Sequence, residues 1–575
     1  MRLSGKSFSE NWQYWLAEIA PRRPVFWIVL AGIFLAVLIG HQSLEVIDRD
    51  EARFAQASKQ MLLSGDLITP YFMDEMRAKK PIAIYWLQSA SAAIFGHFDI
   101  ASYRLPSLLA MLAALVLTYR LGVRMWPDLR FLPIISVLLL AASPVMIAEA
   151  HLAKTDAVLL AVILCQQFYL WRLYQRYQLS DEPPVASRLF IGFWLFMAIG
   201  ILVKGPIAPL IALSTIAVLT LLDRQVKWLV HLAFIRGIFI LAIITLPWVV
   251  AVSYQTDGAF LDIAIRGDFI SKVQSGQESH GAPFGTYFGL LGLLFFPGIA
   301  FAGFLFTQGR DMLRHPASRF CFAWLAGYWL VIELVPTKLP HYILPVLPAL
   351  ALLIANALLS PLAPPGRIQR FLVLTGYGLA VLWGLVLAGA SFWLAITYGG
   401  QSGGSAFIFA ILAGLLVSFI LWRLWGWYRG RQLGDLLAIC GAGIALHLVL
   451  IAGLFASLSQ IHIANRLKAH IASLPSRPAA IALVGYHEPS AVFHLGQDIL
   501  LLDVKQAALF MAEAPDGLAI IEERHRAEFI QLSQQLEQDL GVRDTLAGTN
   551  ISKGRNIRLF FYQHTANMRP AQKGG

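Results

Sequence analysis

Six consecutive residues, Asp48-Arg49-Asp50-Glu51-Ala52-Arg53, follow directly on the first long apolar segment of the chain. A charge held inside hydrocarbon costs about 3 kcal/mol on insertion scales. A cluster at the mouth of a span is therefore either a solvated loop or a site. A carboxylate placed there can take a proton from an attacking hydroxyl, steer an attacking phosphate or hold a divalent cation. Asp50 is the first candidate. Asp156, beside Lys154 at the entry of another apolar run, is the second. Either could instead pair with a neighbouring cation as an interface charge. Glu51 adjoins Asp50 but on a helix would point elsewhere.

Cations accompany these acids. Arg53 and Lys80 suit a phosphate, and Pro81 fixes the entry of the helix that follows Lys80. Lys80 could also simply snorkel at headgroup level, with Lys79 its solvated neighbour. Lys204 lies between two apolar runs in Val-Lys-Gly-Pro. Lys338, His341 and Tyr342 lie in Pro-Thr-Lys-Leu-Pro-His-Tyr-Ile-Leu-Pro. Irregular backbone at membrane depth is tolerated only where it lines a cavity or packs on protein. With Glu149, His151, Lys154 and Arg266, these residues all fall at span ends on one side of the membrane. A lone His such as His280 or His341 reads as a hydrogen-bonded loop residue more readily than as a metal ligand.

The elements that must position these residues are mostly membrane spans. Of 575 residues, 57% are hydrophobic and 14% charged, unlike a soluble domain. About thirteen apolar stretches between residues 25 and 456 are long enough to cross a bilayer. The net charge of +11 does not indicate nucleic acid, because the cations sit between the spans rather than on one face. With the N-terminus inside, alternate short loops carry Arg120/Arg124/Arg130, Arg172/Arg176/Arg188, Arg224/Lys227/Arg236, Arg310/Arg314/Arg319, Arg367/Arg370 and Arg423/Arg429/Arg431, as the positive-inside rule requires. The first apolar run reads as an uncleaved span. Cys165, Cys321 and Cys440 all lie in apolar runs and read as buried thiols.

This orientation places two long loops outside, 42–104 and 254–284. The first holds two interface helices, one through Phe54, Ala57, Met61 and Leu62 and one over Ile82–Phe95. Residues 1–457 form the membrane part. Residues 458–575 read as a small outer α/β domain, with strands Ala480–Val484, Ile499–Leu502, Leu518–Ile521 and Ile557–Phe561 and a helix over 523–540. The fold class is thus mostly α, polytopic, with a C-terminal α/β domain.

Four segments resemble the polyprenyl-phosphate-dependent glycosyltransferases of the GT-C superfamily. The likeness is to the bacterial branch that joins protein O-mannosyltransferases with the lipid A aminoarabinose transferases (ArnT). The segments are Asp50-Glu51-Ala52-Arg53-Phe54-Ala55; Ser64-Gly65-Asp66 with Lys80-Pro81 to Tyr85-Trp86; Thr155-Asp156; and Lys338-Leu339-Pro340-His341-Tyr342-Ile343-Leu344-Pro345. The resemblance implies an undecaprenyl phosphate donor carrying one sugar, inversion at the anomeric carbon and no directly bound nucleotide sugar. It carries over Asp50 as the principal catalytic carboxylate and Asp156 as a second essential acid. Arg53, Lys80 and Arg266 map to donor-phosphate contacts, and Lys338 is taken with them. Tyr342 maps to the pocket wall, with Glu51, Tyr85, Lys204 and His341 as further pocket residues. One departure stands out. The aminoarabinose enzymes carry Phe-Glu-Lys-Pro-Pro where this chain has Arg77-Ala78-Lys79-Lys80-Pro81-Ile82. The missing acid bears on metal binding and on amino-sugar recognition, so a uronic acid or a hexose stays open.

The sequence thus predicts an inner-membrane glycosyltransferase with an outward-facing site and a lipid A or other envelope glycolipid acceptor. A divalent metal ion is admitted, not required. Two alternatives remain: a protein or other glycan O-glycosyltransferase of the same superfamily, or a transporter or flippase of a lipid-linked sugar. The second is disfavoured by the lack of paired internal repeats.

Overall fold

The computed structural model describes residues 23–179, 187–270, 281–307, 309–360, 366–475, 478–496 and 499–568. Among them, seven helices are long and apolar enough to cross a membrane, or eight if the bent pair Leu132–Ala141 and Pro144–Ala150 counts as one span. Shorter apolar helices, Pro24–Ile39 and Ile207–Asp223, accompany them. These lengths do not confirm the expected count of thirteen, and two of the expected runs are broken. The run 131–149 bends by 68° at Ser143-Pro144. The run 285–306 breaks into Thr286–Leu294 and Gly298–Phe306 around Pro297, a residue that cannot donate to the helical ladder.

Burial separates two kinds of helix. Pro340–Leu359 is enclosed, with 89% of its apolar window buried, whereas Arg367–Tyr398 and Lys227–Gln255 are each 22% buried. The exposed side chains on the latter two include Ile235, Phe239, Trp393 and Ile396, which suit contact with lipid and not with water.

The first outer loop holds both expected interface helices, Asp50–Ser64 and Ala83–Phe95. Gly65 ends the first in the left-handed conformation (φ 77°), its N–H bonded to the Met61 carbonyl; glycine adopts that conformation without a Cβ clash. A short hairpin of β1 (Tyr71–Phe72) and β2 (Glu75–Met76), which the sequence reading did not anticipate, joins the two helices.

The tail forms one five-stranded sheet. Its strands are β3 (Ile481–Val484), β4 (Leu500–Leu501), β5 (Leu518–Glu522), β6 (Leu540–Asn550) and β7 (Arg555–His564), in the order β4-β3-β5-β7-β6. β3 runs parallel to β4 and β5, and β7 is antiparallel to β5 and β6. The helix expected over 523–540 is confined to Arg526–Gln535, after a turn at Glu523–His525. Glu537 turns the chain with a positive φ of 54°, and β6 follows.

Tail and first loop are joined directly. The Ser490 N–H donates to Asp48 (2.8 Å), Lys59 donates to the Phe493 carbonyl (3.2 Å), and Arg49 donates to the Ser552 carbonyl (2.6 Å). Both therefore stand on the same side of the membrane. Burial pushes the Asp48 carboxyl up to about 6, against the hydrogen bonds from Ser490.

Beneath the loop lies Arg104, fully buried. It donates to Glu51 Oε1 (2.8 Å) and Oε2 (2.9 Å), to the carbonyls of His41 (3.0 Å) and Leu44 (2.8 Å), and to Glu45 O (3.0 Å). Glu51 also accepts from the backbone N–H groups of Ile47 and Ala153, each at 2.9 Å. Removing one partner of such a pair leaves a buried charge unmatched, at a cost of about 3–5 kcal/mol. Glu51→Ala is therefore expected to destabilise the purified protein by about that amount, read by thermal melting in detergent. A melting temperature equal to that of the parent would show that the pair carries no structural weight.

Candidate active site

The site is built from the ends of six segments. Asp50 opens its helix; Lys80 stands just before the second interface helix; Glu149 ends the bent pair; Asp156 opens a long span; Lys204 closes the helix Ser187–Lys204. Gly205, with φ 64°, makes the sharp turn after Lys204 that a residue with a Cβ would resist. His341 and Tyr342 arrive from the proline-bounded segment Pro340–Val346.

Contacts knit these ends together. Lys204 Nζ lies 2.5 Å from Asp156 Oδ1, and Lys154 Nζ lies 3.0 Å from Glu149 Oε1. The His341 ring bridges the two acids, its Nδ1 3.9 Å from Glu149 and its Nε2 3.8 Å from Asp156. Lys204 also stands over the Tyr342 ring, 5.6 Å from its centre. Thr155 Oγ1 reaches Asp156 at 3.5 Å.

Asp50 faces the same group. Residue 50 as a whole is exposed, yet packing around its carboxyl works to raise the pKa. Lys154, Arg77, Lys80 and His341 outweigh that and hold the carboxyl below its ordinary value. Lys154 moves the other way: burial works against its charge, but Glu149, Asp156 and Asp50 raise its pKa. At neutral pH Asp50 is therefore a carboxylate among cations.

The predicted residues divide by place. Asp50, Lys80, Asp156, Lys204, His341 and Tyr342 converge. Tyr85 is buried below them, its hydroxyl accepting from Arg77 Nε at 3.1 Å. Glu51 faces inward to Arg104. Lys338 is enclosed and donates to the carbonyls of Ile332, Glu333 and Val335 at 2.8–3.2 Å, where it caps the helix Pro316–Leu334. Arg266 is exposed and pairs with Asp262 at 2.9 Å. Arg53, half-buried, lines a cleft against the tail. His151 is held by the carbonyls of Ile147 and Val37, each at 2.8 Å. Residues 271–280 of the second outer loop, His280 among them, lie outside the described residues.

Arg77 went unranked in the sequence reading, and Glu149 and Lys154 were noted only as span-end charges. The signal for the latter two was present in Glu149-Ala-His-Leu-Ala-Lys154-Thr-Asp156, which places three charged groups within eight residues. Arg77 stacks on Phe54 at 4.6 Å, a contact that spacing alone does not reveal.

Glu149, Asp156 and His341 bring one ligand atom each within 4.8 Å of one another. The residue types suit a divalent ion, but Lys154 and Lys204 already neutralise the two carboxylates. Glu149 Oε2 is left without a hydrogen-bond partner, so an oxygen is open to a cation, but with both carboxylates already neutralised a dication would add uncompensated charge.

Comparison with known proteins agrees with this architecture. Residues 79–250 match the family described as dolichyl-phosphate-mannose-protein mannosyltransferase. An undecaprenyl phosphate-alpha-4-amino-4-deoxy-L-arabinose arabinosyl transferase of Proteus mirabilis is 26% identical over 57% of this chain. The match spans 58% of that relative, less than two thirds of its length. A relative of the same name from Pseudomonas fluorescens is 28% identical over 76% of this chain and 77% of its own. The crystal structure of ArnT from Cupriavidus metallidurans bound to undecaprenyl phosphate superposes with a TM-score of 0.75 at 19% identity, covering 95% of this chain and 99% of that one. The chain is therefore a multi-pass membrane protein with the fold of the Cupriavidus ArnT structure, similar over part of its length to the mannosyltransferase family and to the aminoarabinose transferases.

Proposed function

We propose that the chain is an inner-membrane glycosyltransferase that moves a sugar from undecaprenyl phosphate to an envelope acceptor, lipid A or another glycolipid, on the periplasmic side. One observation carries this reading. Asp50 and Asp156 stand in one charged cluster with Lys80, Lys154 and Lys204 at the ends of separate membrane segments. A lipid phosphate arriving sideways from the bilayer would meet those ammonium groups first. Residues 1–457 would form the membrane part and 458–575 the outer α/β part, the last long apolar helix ending at Ser457.

The chemistry is a displacement at the anomeric carbon. An ionised phosphate oxygen of the acceptor, which has no proton to lose, forms the new bond to that carbon from one face. The bond to the donor phosphate breaks on the other, with inversion, and undecaprenyl phosphate departs with the electron pair. Lys80, Lys154 and Lys204 offset the charge that gathers on the leaving phosphate. Asp50, kept ionised by its neighbours, is a weak base. It suits orienting the acceptor and stabilising positive charge on the sugar ring better than deprotonating a free alcohol. Asp156 holds Lys204 in place for the phosphate.

Asp50→Asn in isolated membranes, supplied with a labelled polyprenyl-linked sugar, is expected to lower transfer by about 10²-fold or more; wild-type rates would remove the mechanism. The acid limb of the pH–rate profile should lie below the ordinary aspartate range, because protonation of Asp50 is what ends activity there. Lys154→Met removes one of the charges that hold it down, so that limb should move to higher pH. An unmoved limb would mean that another group sets it.

A further inference from the structure

Outside this cluster, a cavity of ≈ 720 Å³ lies between the first loop and the tail. Its cationic lining is Arg49, Arg53, Arg524 and Lys553, with His487 and His525 beside them. Two acids also line it, and both are engaged: Glu488 accepts from Asn550 at 2.7 Å, and Asp503 caps its own helix by accepting from the Gln506 N–H at 2.8 Å. Four cationic side chains against these two carboxylates leave the lining net positive.

The walls are held in place. Arg49, in an uncommon backbone conformation (φ 70°, ψ −96°), is tied to the Ser552 carbonyl at 2.6 Å. Gly485 forms part of the wall with φ 86°; a Cβ there would lie 2.7 Å from Glu522 Oε2 and 2.8 Å from His525. Glu522 in turn is paired with Arg524 (3.2 Å) and Arg555 (2.9 Å). Loop and tail thus frame a polar chamber of the size that encloses a small organic ligand.

Among the described residues, none of any span lines the chamber. A phosphate joined directly to a prenyl chain must stay at membrane depth, so the donor phosphate does not suit it. Acyl tails do not suit it either, because six of its fourteen lining residues carry a formal charge. Arg49 and Arg53 flank Asp50 in the chain, so an occupant at this end stands next to the catalytic helix. Guanidinium forks match phosphate oxygens two at a time.

We infer that this chamber binds the phosphate-bearing sugar headgroup of the acceptor, so that the tail, together with the first loop, recognises the acceptor. The assignment rests on the glycosyltransferase reading for the name of the ligand, and not for the anion site itself.

The test uses the detergent-purified full-length chain and glucose 1,6-bisphosphate, titrated calorimetrically, with glucose as the uncharged control. The sugar bisphosphate should bind, glucose should not, and added salt should weaken the binding. Arg524→Ala/Lys553→Ala should weaken it at least tenfold. Both side chains are exposed, and Glu522 keeps Arg555, so melting should be unchanged. Lys553→Glu, a charge reversal, should weaken binding more than Lys553→Ala. Saturation with undecaprenyl phosphate should leave binding intact. No binding, equal binding by the double variant, or displacement by undecaprenyl phosphate would each overturn the assignment. Asp50→Asn should bind the bisphosphate like the parent while losing transfer, so the two readings fail separately.

Discussion

Arg104 and Glu51 form the contact on which the outer half of the protein is arranged. Their side chains are 0% and 1% exposed, and all five N–H donors of the guanidinium are used. Three of those bonds go to backbone carbonyls at the exit of the first helix, and the others go to the first turn of the helix Asp50–Ser64. Glu51 extends the network to Ala153, three residues before Asp156. One buried pair therefore sets the spacing between the two segments that carry the acids. Arg104 sits in the helix Ile100–Met125, so the loop is pinned to a membrane span and does not float above it.

With Glu51 turned inward, its neighbour Asp50 is left facing the cluster. The cluster is balanced but not inert. Lys154 and Lys204 are each tied to one acid, and His341 stands between those acids. An incoming phosphate would compete with carboxylates for the same ammonium groups, and the pairs keep those groups aimed before it arrives. Preorganised charge of this kind needs little rearrangement when charge develops. Beside the same helix the tail frames a separate chamber with a net positive lining, so that, on the inference above, a second anionic group would be held apart from the donor phosphate.

Much of this was legible in the sequence, for physical reasons. Charges at span ends are conspicuous against hydrocarbon, so Asp50, Lys80, Asp156, Lys204 and His341 could be picked by position alone. The different orientation of Glu51 followed from helical geometry. Its partner did not: Arg104 lies 53 residues away, inside an apolar pattern that reads as plain span. Lys338 looked like a cavity residue because prolines surround it; the open carbonyls at the end of Pro316–Leu334 claim it instead. Strand β6, Leu-Gly-Val-Arg-Asp-Thr-Leu-Ala-Gly-Thr-Asn, has no clean alternation and is held by its ladder to β7. The span count stays unconfirmed, in part where prolines break apolar runs, since hydropathy records composition and not direction.

The central claim is that the ionised ends of separate membrane segments gather on the outer face, with the Arg104–Glu51 pair holding the first loop over them. The most direct measurement is the side from which that loop is reached. A single cysteine at Lys79, in a chain freed of Cys165, Cys321 and Cys440, would be treated in spheroplasts with a membrane-impermeant maleimide. Labelling without permeabilisation is the predicted result. Labelling only after the inner membrane is opened would place the loop in the cytoplasm and contradict the account.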